Sequence, residues 1–147
     1  MKIRRIKESD LEDLRLLYIA LCNEERSLEK IKVSFKQVEQ NQNYYLLGAE
    51  VDGKIVGTLM GIVCYDVAGE GKNFMTLENV VVLEDYRGRG ICRSLFNEIE
   101  KIAQVNQCDY IYFVSGAQRK EAHALYTALG YADEKAKGFR KHFHKSF

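Results

Sequence analysis

The 147-residue sequence contains no apolar stretch close to the ~20 residues that span a bilayer, so it predicts no transmembrane helix and no membrane partner. It also lacks a strong charge of either sign. The formal net charge is +1, and bulk electrostatics therefore favours no nucleic-acid partner. Proline is absent, and no feature of the sequence accounts for this. A composition of 46% hydrophobic and 29% charged residues is typical of a soluble globular protein.

No Cys-x-x-Cys spacing occurs among the scattered cysteines, and no signal peptide is recognisable. We therefore expect reduced thiols in a cytoplasmic protein. His142 and His144 alternate with Phe143 in the tail, but no third ligand accompanies them, and we expect no metal site. The four cysteines are Cys22, Cys64, Cys92 and Cys108.

The apolar pattern predicts one α/β domain covering residues 1–147. A strand is followed by two helices, three strands, a helix, a strand, a helix and a tail with two short strands. The dipeptide Asp52-Gly53 predicts a hairpin between the second and third strands, and Gly130 predicts a helix end. The predicted strands cover residues 1–6, 44–51, 54–65, 74–83 and 109–115, and the predicted helices residues 9–21, 28–40, 91–105 and 118–129.

A glycine- and arginine-rich turn joins the apolar strand around Val80, Val81 and Val82 to an amphipathic helix. The first N–H groups of a helix lack intrahelical acceptors and carry partial positive charge, so such a turn favours a phosphate. The glycines leave the backbone accessible, and the arginines add full charges. The turn consists of Arg87, Gly88, Arg89, Gly90, Ile91, Cys92 and Arg93.

Two common phosphate-binding motifs do not fit this turn. A P-loop requires Lys-Ser/Thr after its last glycine, and a dinucleotide fingerprint requires a third glycine where Arg93 stands. Arg87, Gly90 and Cys92 instead match Arg/Gln-x-x-Gly-x-Gly/Ala, with Cys92 in the small-residue position. This turn resembles the pyrophosphate-binding loop of the GNAT acetyltransferases.

A second segment carries the same resemblance. Ala122, Tyr126, Gly130 and Tyr131 match the alanine, tyrosine and glycine-aromatic pattern of the family's fourth helix. With Arg119 and the tail, the segment resembles more narrowly the branch that includes aminoalkylphosphonate N-acetyltransferases. The resemblance implies a pantetheine contact at Arg119, a position where the family usually has asparagine.

The GNAT resemblance implies a mixed twisted sheet of six to seven strands flanked by four helices, with acetyl-CoA as cosubstrate. It implies Tyr126 as the acid that protonates the leaving thiolate. It also implies contacts of the Val80–Val82 backbone with the thioester carbonyl and the pantetheine arm.

Glu78 is our candidate general base because a primary amine, whose pKa is ~10, must lose a proton to attack a thioester. The carboxylate interrupts an apolar strand, and strict alternation would put it on one face with Val80 and Val82. His123 or an ordered water is the alternative base, and an acyl-cysteine route is disfavoured because no histidine lies near Cys64 or Cys92 in the sequence.

Three functions stay open at this point. The first, which we favour, is acetylation of a small-molecule primary amine by direct attack in a ternary complex. The second is acetylation of a protein lysine or N-terminus, and the third is coenzyme A binding without catalysis. The acceptor and the oligomeric state are left open, with a homodimer as one candidate assembly.

Overall fold

The computed structural model describes residues 1–132 and 134–144. Within them, the order of strands and helices up to the fourth helix is the predicted one, because the apolar periodicities that predicted them are those that become buried. No helix among the described residues is long and apolar enough to cross a membrane. The strands are β1 (Lys2–Arg5), β2 (Tyr44–Val51), β3 (Lys54–Cys64), β4 (Asn73–Val82) and β5 (Cys108–Tyr112), and the helices are α1 (Leu11–Cys22), α2 (Leu28–Glu39), α3 (Ile91–Val105) and α4 (Lys120–Ala128).

The strands form one mixed sheet in the order β1-β2-β3-β4-β5. The first four strands are antiparallel to their neighbours, and β5 runs parallel to β4. The described residues thus give a five-stranded sheet, where six to seven strands were expected. The two tail strands are not formed in residues 131–132 or 134–144, and the rest of that prediction lies outside the described residues.

The hairpin between β2 and β3 turns at the predicted dipeptide. Asp52 has φ = 51° and Gly53 has φ = 78°, and Val51 lies opposite Lys54. Two successive positive φ angles are the signature of a type I′ turn, whose twist matches that of the flanking strands.

Helices cover both faces of the sheet. On one face, α3 packs through Ile91, Leu95 and Ile99, which recur every fourth residue and are buried. On the other face, α1 and α2 enclose a core that includes Leu14 and Phe35. The sheet is therefore buried on both sides where the helices lie, which explains the long apolar runs of β3 and β4.

An ion-pair network fixes β1 to the start of α1. The Arg4 guanidinium contacts Asp10 at 2.7 Å and Glu50 at 3.0 Å, and the Lys7 backbone N–H donates to Asp10 at 2.7 Å. The hydrogen bonds from Arg4 and Lys7 hold the pKa of Asp10 below its ordinary value of 3.8. The network fixes the position at which α1 begins.

The chain divides into two compact units, residues 1–113 and 114–147. The first unit contains the sheet with α1, α2 and α3. The second contains α4 and the described part of the tail.

Candidate active site

A one-residue bulge interrupts β4 at Asn79. Met60 of β3 lies opposite Glu78 and Thr58 lies opposite Val81, so β4 has one residue more than β3 over this interval. Asn79 has φ = 56°, in the left-handed region that asparagine tolerates better than most residues. Bulges of this kind redirect side chains and are frequent near active sites.

The bulge decides which residues share a face of the sheet. Glu78 is the cross-strand partner of Met60, which packs against the core on the α1–α2 face. Val82 lies on the α3 face, where a Cβ built on Gly57 would meet Val82 at 3.2 Å and Ile91 at 3.0 Å. The expectation that Glu78 shares a face with Val80 and Val82 is therefore wrong, because the extra residue reverses the alternation. Glu78 is exposed, so its carboxylate does not occupy the core.

The end of β4 has an edge that β5 does not cover. The last residue paired with β5 is Thr76, whereas β4 continues to Val82. The Leu83 N–H donates to Val56 on β3 at 2.9 Å, and the Val82 carbonyl accepts from the Arg87 side chain at 3.1 Å. Backbone groups of successive strand residues point to opposite edges. By this alternation the N–H groups of Val80 and Val82 point toward the open edge.

Val81 differs from its two neighbours. The same alternation directs its N–H toward β3, and its side chain is buried in the core beneath α1 and α2. Val81 therefore stabilises the strand that presents Val80 and Val82.

The glycine turn requires glycine for its backbone angles. Gly88 has φ = 75° and Gly90 has φ = 77°. A Cβ at either position would meet no atom within 4 Å, so conformation and not space selects glycine. Gly90 is the N-cap of α3, and no side chain caps the helix there. The first N–H groups of α3 are thus presented to an anion from outside the helix.

Three arginines surround this helix start. The Arg87 side chain is oriented by its bond to the Val82 carbonyl, and the Arg89 guanidinium stacks 5.0 Å from the ring centroid of Tyr86. Arg93 is exposed on the first turn of α3, which carries no acidic residue. Full positive charges add to the helix dipole here, a combination that fits a diphosphate.

Two residues of the predicted turn, Ile91 and Cys92, add no charge to it. Ile91 is buried and packs over Gly57 on β3, so only its backbone faces outward. Cys92 is half-buried, consistent with its position in the small-residue slot.

A pocket of about 720 Å³ lies on the α1–α2 face of the sheet. Its volume falls within the range of small-molecule sites, roughly 300–1,000 Å³. The bulge residue Asn79 lines the pocket, as does Met60, the cross-strand partner of Glu78. Tyr18 from α1 also lines it, and burial raises the pKa of that phenol to about 12, so it stays neutral at ordinary pH.

This pocket was not predicted from the sequence. The apolar residues of its α2 wall are Ile31, Phe35 and Val38, which are spaced four and three residues apart and so lie on one helix face, and Lys30 and Ser34 line the pocket as well. That periodicity was visible, but it fits a core face equally well. Only the bulge and the fold of α1 and α2 over β3 turn this face into a pocket wall.

The second unit holds the remaining predicted residues. Gly130 has φ = 96°, its N–H donates to Thr127 at 3.0 Å, and the Tyr131 N–H donates to the Tyr126 carbonyl at 3.0 Å. These two bonds form a Schellman motif, so the predicted helix end at Gly130 is confirmed.

Tyr126 is buried on α4, at 7% exposure. The His123 Nε2 lies 3.2 Å from the Ser115 hydroxyl, and the His123 and Tyr126 rings have centroids 6.4 Å apart. Arg119 is the N-cap of α4 and makes no capping bond with its side chain. Glu78, the open edge of β4 and the glycine turn belong to the first unit, and Arg119, His123 and Tyr126 belong to the second.

Comparisons with known proteins identify a family and similar folds. The family model described as the Acetyltransferase (GNAT) family matches residues 9–131. A putative acetyltransferase from Agrobacterium tumefaciens is 24% identical, with a TM-score of 0.89 and coverage of 97% of this chain and 99% of that one. A transcriptional regulator from Bacillus halodurans is 25% identical, with the same TM-score and coverages. A glucosamine-6-phosphate N-acetyltransferase from Arabidopsis thaliana is 18% identical, with a TM-score of 0.84 and coverages of 97% and 98%.

Proposed function

The chain belongs to the GNAT family and is an acetyltransferase, and from this premise we propose that it acetylates a primary amine of a small molecule, using acetyl-CoA. Members of this family use acetyl-CoA as the acetyl donor. The observation that carries the proposal is the order of features along β4. A base candidate, an uncovered strand edge and an uncapped helix start follow one another over residues 78–91.

The proposed cosubstrate lies along this path. The diphosphate of acetyl-CoA accepts from the first N–H groups of α3 and is neutralised by Arg87, Arg89 and Arg93. Its pantetheine arm pairs with the open edge at Val80 and Val82, as a strand would. Arg119 is the proposed contact for the arm from the second unit. The uncovered edge beyond Thr76 supports this arrangement, because an extended amide-bearing chain can add there.

The proposed reaction is direct transfer in a ternary complex. The amine nitrogen attacks the thioester carbonyl, a C–N bond forms, and the C–S bond breaks. The amine proton passes to the Glu78 carboxylate, directly or through water, and the coenzyme thiolate takes a proton from Tyr126. N–H groups at the open edge stabilise the oxyanion that develops on the carbonyl. The position of Glu78 supports its role as the base. The residue is exposed, precedes Asn79 in the chain and lies opposite Met60, and both of these neighbours line the pocket.

The pocket supports a small-molecule acceptor over a protein, because a lysine or N-terminus on a protein surface needs an open groove. To test the function, purified protein is mixed with acetyl-CoA and a panel of amines, an amino sugar and a lysine peptide, and free thiol is measured. We expect amine-dependent thiol release with an N-acetylated product of matching mass. Thiol release with the peptide alone would support the protein-acceptor alternative, and coenzyme binding without release would leave a non-catalytic binding protein.

Glu78→Gln tests the general base. The amide keeps the shape of the side chain but cannot accept the amine proton, so we expect kcat/KM to fall about 10²-fold near neutral pH. At low pH most amine is protonated and needs the base, whereas near the amine's own pKa of ~10 solution hydroxide substitutes for it. The defect should therefore shrink as pH rises. The measurement is a pH–rate profile from neutral to alkaline pH.

The matched control is Glu70→Gln, the same change at an exposed carboxylate in the β3–β4 connection. It should follow the unsubstituted protein at every pH. A Glu78→Gln defect of constant size across the range would contradict the role as base. His123 or an ordered water would then be the candidate to examine.

A further inference from the structure

We infer that the amine acceptor is a hydrophobic one, with an aliphatic or aromatic body held in the α1–α2 pocket. This inference rests on the proposed function and specifies its substrate class. It differs from the glucosamine-6-phosphate and aminoglycoside acceptors in the names of two similar structures, and from the aminoalkylphosphonates of the branch that the sequence resembles. Neither the family nor the similar structures assign such an acceptor to this chain.

The pocket is lined by an apolar group of residues and by a polar group, which consists of Tyr18, Glu25, Arg26, Ser27, Lys30, Ser34 and Asn79. The apolar group comes from three parts of the fold. Leu14 comes from α1, Phe35 and Val38 from α2, and Leu46 and Met60 from neighbouring strands. The cross-strand pair Leu46 and Met60 forms the floor, and both side chains lie on the α1–α2 face. A sugar or an aminoglycoside placed against this apolar group would bury hydroxyl groups without hydrogen-bond partners, which is unfavourable. An alkyl or aryl group is instead stabilised by every CH₂ removed from water.

The charges on the pocket wall do not select a phosphate or phosphonate. Arg26 and Lys30 line the pocket, but Glu25 lines it as well, and Arg26 lies 3.4 Å from Glu24. Mixed signs of this kind leave little net positive charge for a dianion. The glycine turn differs from the pocket in this respect, because three arginines lie around a helix start that no side chain caps.

The position of the amino group follows from the bulge. Asn79 provides an amide to the pocket wall at the same point of β4 as Glu78, and Met60 links Glu78 across the sheet to the pocket floor. A hydrophobic body among Phe35, Val38 and Met60 would direct its amine toward this polar end. The open edge of β4 begins there as well, so the thioester and the amine converge on one point of the strand.

The test is a homologous series of n-alkylamines from ethylamine to hexylamine, with acetyl-CoA as donor. These amines have nearly the same pKa, so differences in kcat/KM report burial and not protonation. We expect kcat/KM to rise about fourfold for each added CH₂ until the pocket is filled. Phenethylamine should be a good acceptor. 4-Aminobutan-1-ol, in which a hydroxyl replaces the terminal methyl of pentylamine, should be at least tenfold poorer than pentylamine.

Two matched variants on α2 locate the effect. Val38→Gln places an amide in the pocket wall, and Val33→Gln makes the same change at an exposed position, 63% accessible. We expect Val38→Gln to lower kcat/KM for pentylamine about tenfold and to flatten the series. Val33→Gln should leave the series unchanged, and neither variant should alter the KM for acetyl-CoA.

The failures of this inference and of the proposed function are distinguishable. Transfer with a flat series, or a preference for glucosamine or an aminoalkylphosphonate over pentylamine, overturns the hydrophobic acceptor and leaves the acetyltransferase standing. A rising series that Val38→Gln does not change overturns the assignment to this pocket. Binding of acetyl-CoA without transfer to any amine overturns both proposals.

Discussion

Gly90→Asp is expected to abolish acetyl-CoA binding while the protein stays folded. Gly90 is the N-cap of α3, in the position where the diphosphate is proposed to meet the helix N–H groups. A carboxylate there repels the negatively charged diphosphate. It also competes for the same N–H donors, because an aspartate side chain near a helix start readily accepts hydrogen bonds from them. We expect the Kd for acetyl-CoA to rise at least a hundredfold, measured by calorimetry on protein that thermal unfolding shows to be folded.

The φ of 77° at Gly90 makes controls necessary, because any side chain is strained there. Gly90→Asn introduces the same strain and shape without the charge, and it should retain much more affinity than Gly90→Asp. Gly53→Asp introduces the same residue at φ = 78° in the β2–β3 hairpin, and it should bind acetyl-CoA normally. Unchanged affinity in Gly90→Asp would remove the glycine turn as the diphosphate site.

Much of the fold could be predicted because local signals and burial agree. Asp52-Gly53 supplies two positive φ angles where a type I′ turn needs them, and Gly130 supplies the one that ends α4. The tail around Gly138 carries no such agreement. Within residues 131–132 and 134–144 no residue is buried and no strand forms. A strand pattern without a buried face is weakly specified.

The candidate site was predictable where it depends on backbone chemistry and not where it depends on register. The glycine turn is a local feature, so its residues could be named in advance. Which face of the sheet Glu78 occupies depends on the one extra residue at Asn79. That residue does not interrupt the apolar run Val80–Val82, so the run gives no sign of the bulge. The only signal was an asparagine, a residue that tolerates a positive φ, inside an apolar strand. The pocket could not be predicted because it requires α1 and α2 to be placed over β3.

Tyr126→Phe is expected to reduce turnover without reducing acetyl-CoA affinity. The change removes one hydroxyl from a buried side chain and keeps the ring, so packing on α4 changes little. Without the phenol the coenzyme must leave as an unprotonated thiolate, or with a proton from water. General acids contribute typically 10²–10⁴-fold, or about 3–5 kcal/mol of the barrier, and we expect kcat to fall within that range. Rapid-quench measurement of a single turnover isolates the chemical step from product release.

A structural role for Tyr126 predicts a different pattern, since loss of a packing or hydrogen-bond contact lowers stability and affinity together. Thermal unfolding and coenzyme titration of Tyr126→Phe therefore accompany the kinetics. Tyr65→Phe is the control, because it removes a hydroxyl from a side chain that is 69% exposed and donates to Asn43. It should react at the normal rate. A normal single-turnover rate in Tyr126→Phe would show that the thiolate leaves without this acid, and the protonation step would then fall to solvent.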